Sequence, residues 1–146
     1  MVQAARRDWM GLLARAPSQT LAAHWAAAAL DPGYSWLRAP EIGTAMLRGR
    51  AGAVGAPFNL GEMTVTRCAL VLDCGTAGHA HVQGRAKEHA RIAALCDALM
   101  QTGAAEQVRA AVLNPLAAAE TALRADRAAK AAATRVDFFT MVRGDA

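Results

Sequence analysis

The sequence predicts an α+β fold: an N-terminal helical pair, an antiparallel β-meander, then C-terminal helices and an extended aromatic tail. Three observations predict it. Apolar residues recur at spacings of three and four in residues 8–33 and again in 85–134, the period of amphipathic helices. Between them, glycine and proline punctuate residues 34–83, the mark of strands and turns. Within that stretch Glu62-Met63-Thr64-Val65-Thr66-Arg67-Cys68-Ala69-Leu70-Val71-Leu72 is rich in β-favouring Thr and Val and apolar on both faces at its end.

Each element has a local signal. A helix starts near Asp8, with Trp9, Leu12, Leu13 and Ala16 on one face, and stops at Pro17; Ser18 then caps a second that carries Leu21 and Trp25 and ends at Asp31-Pro32-Gly33. Tyr34 to Arg38 and Thr44 to Arg50 read as extended segments interrupted by Pro40 and Gly43. The strong strand Glu62–Leu72 turns at Asp73-Cys74-Gly75-Thr76 and returns as Ala77–Gln83. Gly84 breaks that strand. Arg85 to Gln101 then forms a helix with Ile92, Leu95, Cys96, Leu99 and Met100 inward, and a further helix runs from Ala104 to Leu113. Asn114-Pro115 opens the last helix, where proline suits the first turn. Only Leu116 and Leu123 are large and apolar there, while Glu120 with Arg124 and Asp126 with Lys130 form favourable i,i+4 pairs. The organisation is one domain over 1–146: helical pair 1–33, strands 34–83, helices 84–134 and a docking tail 135–146.

Composition narrows the function classes. Hydrophobic residues make up 54% of the 146, but 38 residues are alanine, which favours helix and contributes little burial. A core this thin favours a chain that completes itself against a partner. Net charge is +4 and arginine dominates it, since lysine stands only at positions 87 and 130; arginine suits bidentate contacts to phosphate or carboxylate. The basic residues are spread along the chain and aromatics are 5%, which argues against nucleic-acid binding. The N-terminus lacks the apolar core of a signal peptide, and no apolar run is long enough for a membrane. Three cysteines, Cys68, Cys74 and Cys96, leave an odd thiol and no Cys-x-x-Cys. A reducing cytoplasm is the expected location.

The tail is the oddest stretch. Phe138, Phe139, Met141 and Val142 stand where chain ends are usually polar, and leaving each in water forgoes roughly 1.5–3 kcal/mol. Arg135, Asp137 and Arg143 frame them, so the segment reads as a peptide that docks on a partner.

Three constellations bear on chemistry. His79 and His81 share one face of a strand and, with His89 or a cysteine, would make a metal site; a solvated sheet face is the plainer reading, and no metal is expected. Gln83, Gly84, Arg85, Lys87 and His89 lie where a strand ends at a glycine and a helix begins, an arrangement suited to an anion or a partner carboxylate. Arg85 and Lys87 in solvent, with Glu88 meeting the helix dipole, is the even alternative. The glycine spacing is not that of a P-loop. Arg67, third, stands among strand residues where it can pair across the sheet or reach a ligand, and pairing is the expected reading. No nucleophile–base arrangement is visible in the sequence, and no catalytic residue is assigned. The competing function is an autonomous small metal- or phosphate-dependent enzyme using His79, His81 and His89.

Four motifs, taken together, carry a family resemblance: Arg6-x-x-Trp9-Met10-x-x-Leu13-Ala14; Val82-Gln83-Gly84-Arg85-x-Lys87-x-His89-Ala90; Asp97-Ala98-Leu99-Met100-Gln101; and Arg135-Val136-Asp137-Phe138-Phe139-Thr140-Met141-Val142-Arg143-Gly144-Asp145. Between them Arg38, Glu41, Gly43, Arg50, Gly52, Gly55, Phe58, Gly61, Thr64, Thr66 and Arg67 also fit. From about residue 6 to 145 the chain resembles the PhnG subunits of the bacterial carbon–phosphorus lyase machinery. The resemblance implies a non-autonomous subunit in a two-fold symmetric core with PhnH-, PhnI- and PhnJ-like partners, served by PhnL/PhnK-like ATP-binding-cassette proteins. It implies that the complex uses ATP, transferring ribose 5-triphosphate to an alkylphosphonate with release of adenine. S-adenosylmethionine and an iron–sulfur cluster belong to the PhnJ-like lyase partner, and no cofactor is expected on this chain.

Overall fold

The computed structural model describes residues 2–52 and 54–136. Helices α1 (Val2–Arg15) and α2 (Ser18–Ala28) are followed by strands β1 (Tyr34–Arg50), β2 (Pro57–Leu72) and β3 (Ala77–Gln83), then α3 (Lys87–Leu99), α4 (Ala105–Val108), a π-helical turn (Arg109–Leu113) and α5 (Asn114–Ala133). The predicted α+β architecture and element order stand; several boundaries differ.

α1 begins at Val2 and not near Asp8, because Ala4, Ala5 and two arginines extend it without a break. α2 is closed by Ala29, the residue after its last turn, which takes the left-handed conformation (φ 49°) normally left to glycine. Neither α2 nor α3 has a side-chain cap; the Ser18 hydroxyl expected to cap α2 is used elsewhere, as described below.

The sheet is antiparallel in the order β1-β2-β3. The two extended segments expected around Pro40 and Gly43 are one strand. β1 is an edge, so Pro40 costs no ladder bond on its open side, and register shifts around Leu37 and Ala39–Pro40 absorb the irregularity. The β2–β3 hairpin turns at Gly75 (φ 85°), whose N–H donates to Leu72 O.

Along β3 the alternation is clean: Gly78, Ala80 and Val82 are buried under α3, and His79, His81 and Gln83 face out. α3 lies so close that a Cβ on Gly78 would fall 2.1 Å from Ala94 O. Only glycine permits that approach. Leu70 and Cys68 of β2 join Leu95 and Cys96 of α3, Leu21 and Trp25 of α2, and Val108, Val112 and Leu116 in one hydrophobic cluster.

The helix expected over Ala104–Leu113 and the one expected from Asn114 are continuous. Asn114 N–H reaches back five residues to Arg109 O, and this widened turn carries the helix into Pro115, which has no N–H to offer. α5 is buried only at Leu116; from Thr121 onward every residue is exposed, with the Glu120–Arg124 and Asp126–Lys130 pairs in place as expected.

β3 ends opposite Val65. Beyond it, β1 44–50 and β2 57–64 continue alone as a two-stranded arm. At about 3.3 Å per residue the arm reaches roughly 20 Å past the third strand. Among the described residues no helix is long and apolar enough to cross a membrane.

Candidate functional site

Two buried polar centres organise the helices. Asp97 on α3 is fully buried and accepts four hydrogen bonds: Arg6 Nε–H (3.0 Å) and Trp9 Nε1–H (3.0 Å) on Oδ1, Arg6 Nη2–H (2.7 Å) and the His79 backbone N–H (2.9 Å) on Oδ2. The carboxylate thus docks α1 by two side chains and satisfies the free edge of β3. In return it raises the Arg6 pKa above the ordinary guanidinium value through that hydrogen bond. Gln101 Nε2 donates to Ala77 O (3.0 Å) and extends the connection.

His89 is the second centre. Its Nε2 lies 2.7 Å from Leu13 O, a pure acceptor, so Nε2 carries the proton; Nδ1 then accepts the Ser18 hydroxyl at 3.0 Å. The structure therefore sets a hydroxyl beside an imidazole, a pairing the sequence did not reveal. Its third member is a backbone carbonyl and not a carboxylate, so an imidazolium would gain no counter-charge there. His89 as a whole is 6% exposed. It ties the end of α1 and the start of α2 to α3 with both ring nitrogens engaged, and it lines a cleft there together with His81 and Gln83.

The rest of that segment is placed as follows. Gly84 takes φ 87° and its N–H donates to Thr64 O, while Thr66 Oγ1 donates to Gly84 O (2.6 Å) and accepts Ala86 N–H (3.0 Å). α3 begins two residues later than expected, so Arg85 precedes it and Lys87 opens it. Gln83, Arg85 and Lys87 are exposed. Glu88 pairs with Arg91, which holds its carboxyl below the usual range.

His79 and His81 do share a solvent-facing side of β3, as expected. They lie on the sheet face opposite α3. There Arg67 of β2 pairs with Glu41 of β1 at 2.6 Å, the cross-sheet partner expected for it, and Arg38 reaches the same carboxylate at 3.4 Å. Two clefts meet at His79 and His81. One, of about 510 Å³, runs along the free edge of β3 between α1 and α3 and is lined by Arg7, Met10, His79, His81, Val82 and Ala93 among others; the second, of about 480 Å³, lies on the outward face and is lined by Met10, Arg38, Arg67, His79 and His81. Among the described residues no group of three or more His, Cys, Asp or Glu is placed to hold a metal.

The thiols differ. Burial pushes Cys68 up to about 11 and Cys96 up to about 12. Cys74 sits in the exposed turn, where the Thr76 hydroxyl lowers its pKa.

The arm carries Met46, Leu47, Phe58 and Leu60, each between 39% and 65% exposed. The sequence alone does not set this stretch apart from the rest of the antiparallel meander expected over 34–83. Of the tail set, Arg135 is exposed, one residue before the described chain ends at Val136, and Asp137, Phe138, Phe139, Met141, Val142 and Arg143 lie outside the described residues.

Comparison with known proteins agrees with the motifs. The sequence model of the family described as phosphonate metabolism protein PhnG matches residues 4–144. A protein of Rhizobium meliloti (strain 1021), named alpha-D-ribose 1-methylphosphonate 5-triphosphate synthase subunit PhnG, is 45% identical over 142 residues, which cover 97% of this chain and 91% of the relative.

Proposed function

This chain belongs to the PhnG family, and we propose that it works as a non-autonomous subunit of the carbon–phosphorus lyase core complex in cytoplasmic phosphonate catabolism. In this reading the complex transfers ribose 5-triphosphate from ATP to an alkylphosphonate and releases adenine. The partners are PhnH-, PhnI- and PhnJ-like subunits, with PhnL/PhnK-like ATP-binding-cassette proteins, and S-adenosylmethionine with its iron–sulfur cluster sits on the PhnJ-like partner. The chain contributes interface, with Arg85 and Lys87 as candidate contacts to an anion or a partner carboxylate.

The observation that carries the reading is the arm. A short ribbon that holds Met46, Leu47, Phe58 and Leu60 in water lacks a core of its own, and an exposed apolar patch of this kind marks a contact surface. The bare second half of α5, leading to the Phe138-Phe139 tail, supports the same conclusion.

The test is co-expression with the PhnH-, PhnI- and PhnJ-like subunits. Met46, Phe58 and Leu60 lie outside the buried core, each about half exposed, so replacing them together by serine should leave the melting temperature within about 5 °C. Co-purification should be lost. A complex that assembles undiminished with this variant, and with residues 135–146 deleted, contradicts the proposal.

A further inference from the structure

The outward face of the sheet gathers more positive charge than the fold requires. Glu41 is shared by two guanidiniums, Arg67 at 2.6 Å and Arg38 at 3.4 Å, so one carboxylate is set against two cations. Arg67 engages it through Nε, and no bond involving its two Nη groups occurs among the described residues. Arg7 enters the adjoining cleft from α1 and has no ion pair among the described residues. His79 and His81 stand between these arginines and line both clefts, with Met10 and Ala80 supplying an apolar wall beside them. Each cleft has the size of a small-molecule site, about 300–1,000 Å³. A cleft with one sign of charge and apolar walls concentrates counter-ions, and forked guanidinium donors held in place by a carboxylate match phosphate oxygens.

We propose that Arg7, Arg38, Arg67, His79 and His81 form a binding site for a polyanionic phosphate chain. Arg67 and Arg38 are the principal donors, pre-oriented by Glu41; the imidazoles donate N–H groups from the floor, and Arg7 closes the far side. The site is separate from residues 83–89 and needs no metal. Its identification with the triphosphate group of a synthase substrate or product rests on the subunit reading; binding of the polyanion by the chain itself does not.

The experiment is titration of the full chain with inorganic tripolyphosphate, followed by calorimetry, with ATP and inorganic phosphate in parallel. Tripolyphosphate should bind more tightly than phosphate, and higher salt should weaken it. ATP should bind as tripolyphosphate does, because the phosphates and not the base are read. Arg67→Gln should weaken binding about tenfold, and the Arg38→Gln/Arg67→Gln pair should abolish it with the circular dichroism spectrum and melting temperature retained. Arg124→Gln, on α5, should change nothing. Binding that persists in the double variant, or ATP binding without tripolyphosphate binding, overturns the proposal. So does a double variant that loses assembly with the other subunits when the native chain binds no polyanion, since the arginines then meet a partner carboxylate. Loss of assembly by the arm variant bears on the subunit reading alone.

Discussion

Replacing Asp97 by asparagine tests whether the four-way hydrogen-bond centre holds α1 on the sheet. Asparagine keeps the shape but has a single acceptor oxygen, and its amide N–H₂ must face donors. Turned one way, the amide meets Arg6 Nε–H and Trp9 Nε1–H; turned the other way, it meets Arg6 Nη2–H and the His79 N–H. Two of the four donors lose their acceptor in either case. Hydrogen bonds to a charged group contribute about 1.5–3 kcal/mol each. The Arg6 side chain is 31% exposed and turns to water for part of its loss, so the net cost should be about 3 kcal/mol. For a chain of this size that is roughly 10 °C in Tm. Urea and thermal denaturation followed by circular dichroism read the change, and amide exchange at His79 should accelerate. Arg6→Gln alone should cost about 2 kcal/mol, and the double variant should fall short of the sum by about 1 kcal/mol or more. An Asp97→Asn protein within about 0.5 kcal/mol of the native one, or strict additivity with Arg6→Gln, refutes the reasoning.

Three further outcomes follow from the geometry. Gly78→Ala places a methyl 2.1 Å from Ala94 O and 2.8 Å from Ala98 Cβ, so α3 must lift; urea denaturation should show a loss of about 2–3 kcal/mol, and an unchanged midpoint would contradict the close approach. A thiol reagent at pH 8 should label Cys74 rapidly and leave Cys68 and Cys96 until denaturant is added, since burial keeps both protonated; three fast thiols would show that the core is open. Arg91 depresses the Glu88 pKa, so the pair's contribution is present above the unfolded carboxylate pKa and lost as pH falls through the lower folded value. Arg91→Gln should return Glu88 to the ordinary range in an NMR titration, with little change in stability because the carboxylate is 65% exposed; an unmoved Glu88 would mean that the pair is absent in solution.

Local patterns were legible where one interaction dominates. Ala77–Gln83 coincides with β3 because its alternation and flanking glycines leave no other register. The His79/His81 face and the Arg67 cross-sheet pair follow from the same period of two. Boundaries failed where a rule of thumb met a tolerant context. Pro40 interrupts a central strand but not an edge, and Pro115 breaks a helix unless a widened turn precedes it. Contacts across distant elements were the least visible. Nothing local to Asp97 says that Arg6 and Trp9, some ninety residues earlier, are its donors; the available signal was a lone carboxylate inside the apolar run Ile92–Leu99. His89 looked like a surface ligand because it follows two cations, yet the helix turns it toward Leu13 and Ser18.

The length of β3 divides the sheet into two working parts. Opposite β3 the outward face is three strands wide, broad enough to bring Arg38 and Glu41, Arg67, and His79 with His81 side by side, with Met10 of α1 at the rim. Past Gln83 the chain leaves at Gly84, whose positive φ and bond to Thr64 O send it into α3. The remaining ribbon then has neither a third strand nor a helix to cover it, and its apolar residues stay in water. A longer β3 would cover one edge of the arm and widen the charged face; a shorter one would strip the two imidazoles from it. The same short strand therefore accounts both for the cleft proposed to hold a polyanion and for the arm whose apolar residues are left uncovered. Extending β3 by design through residues 84–86 should close the arm's edge and weaken assembly while leaving the Arg67–Glu41 pair intact.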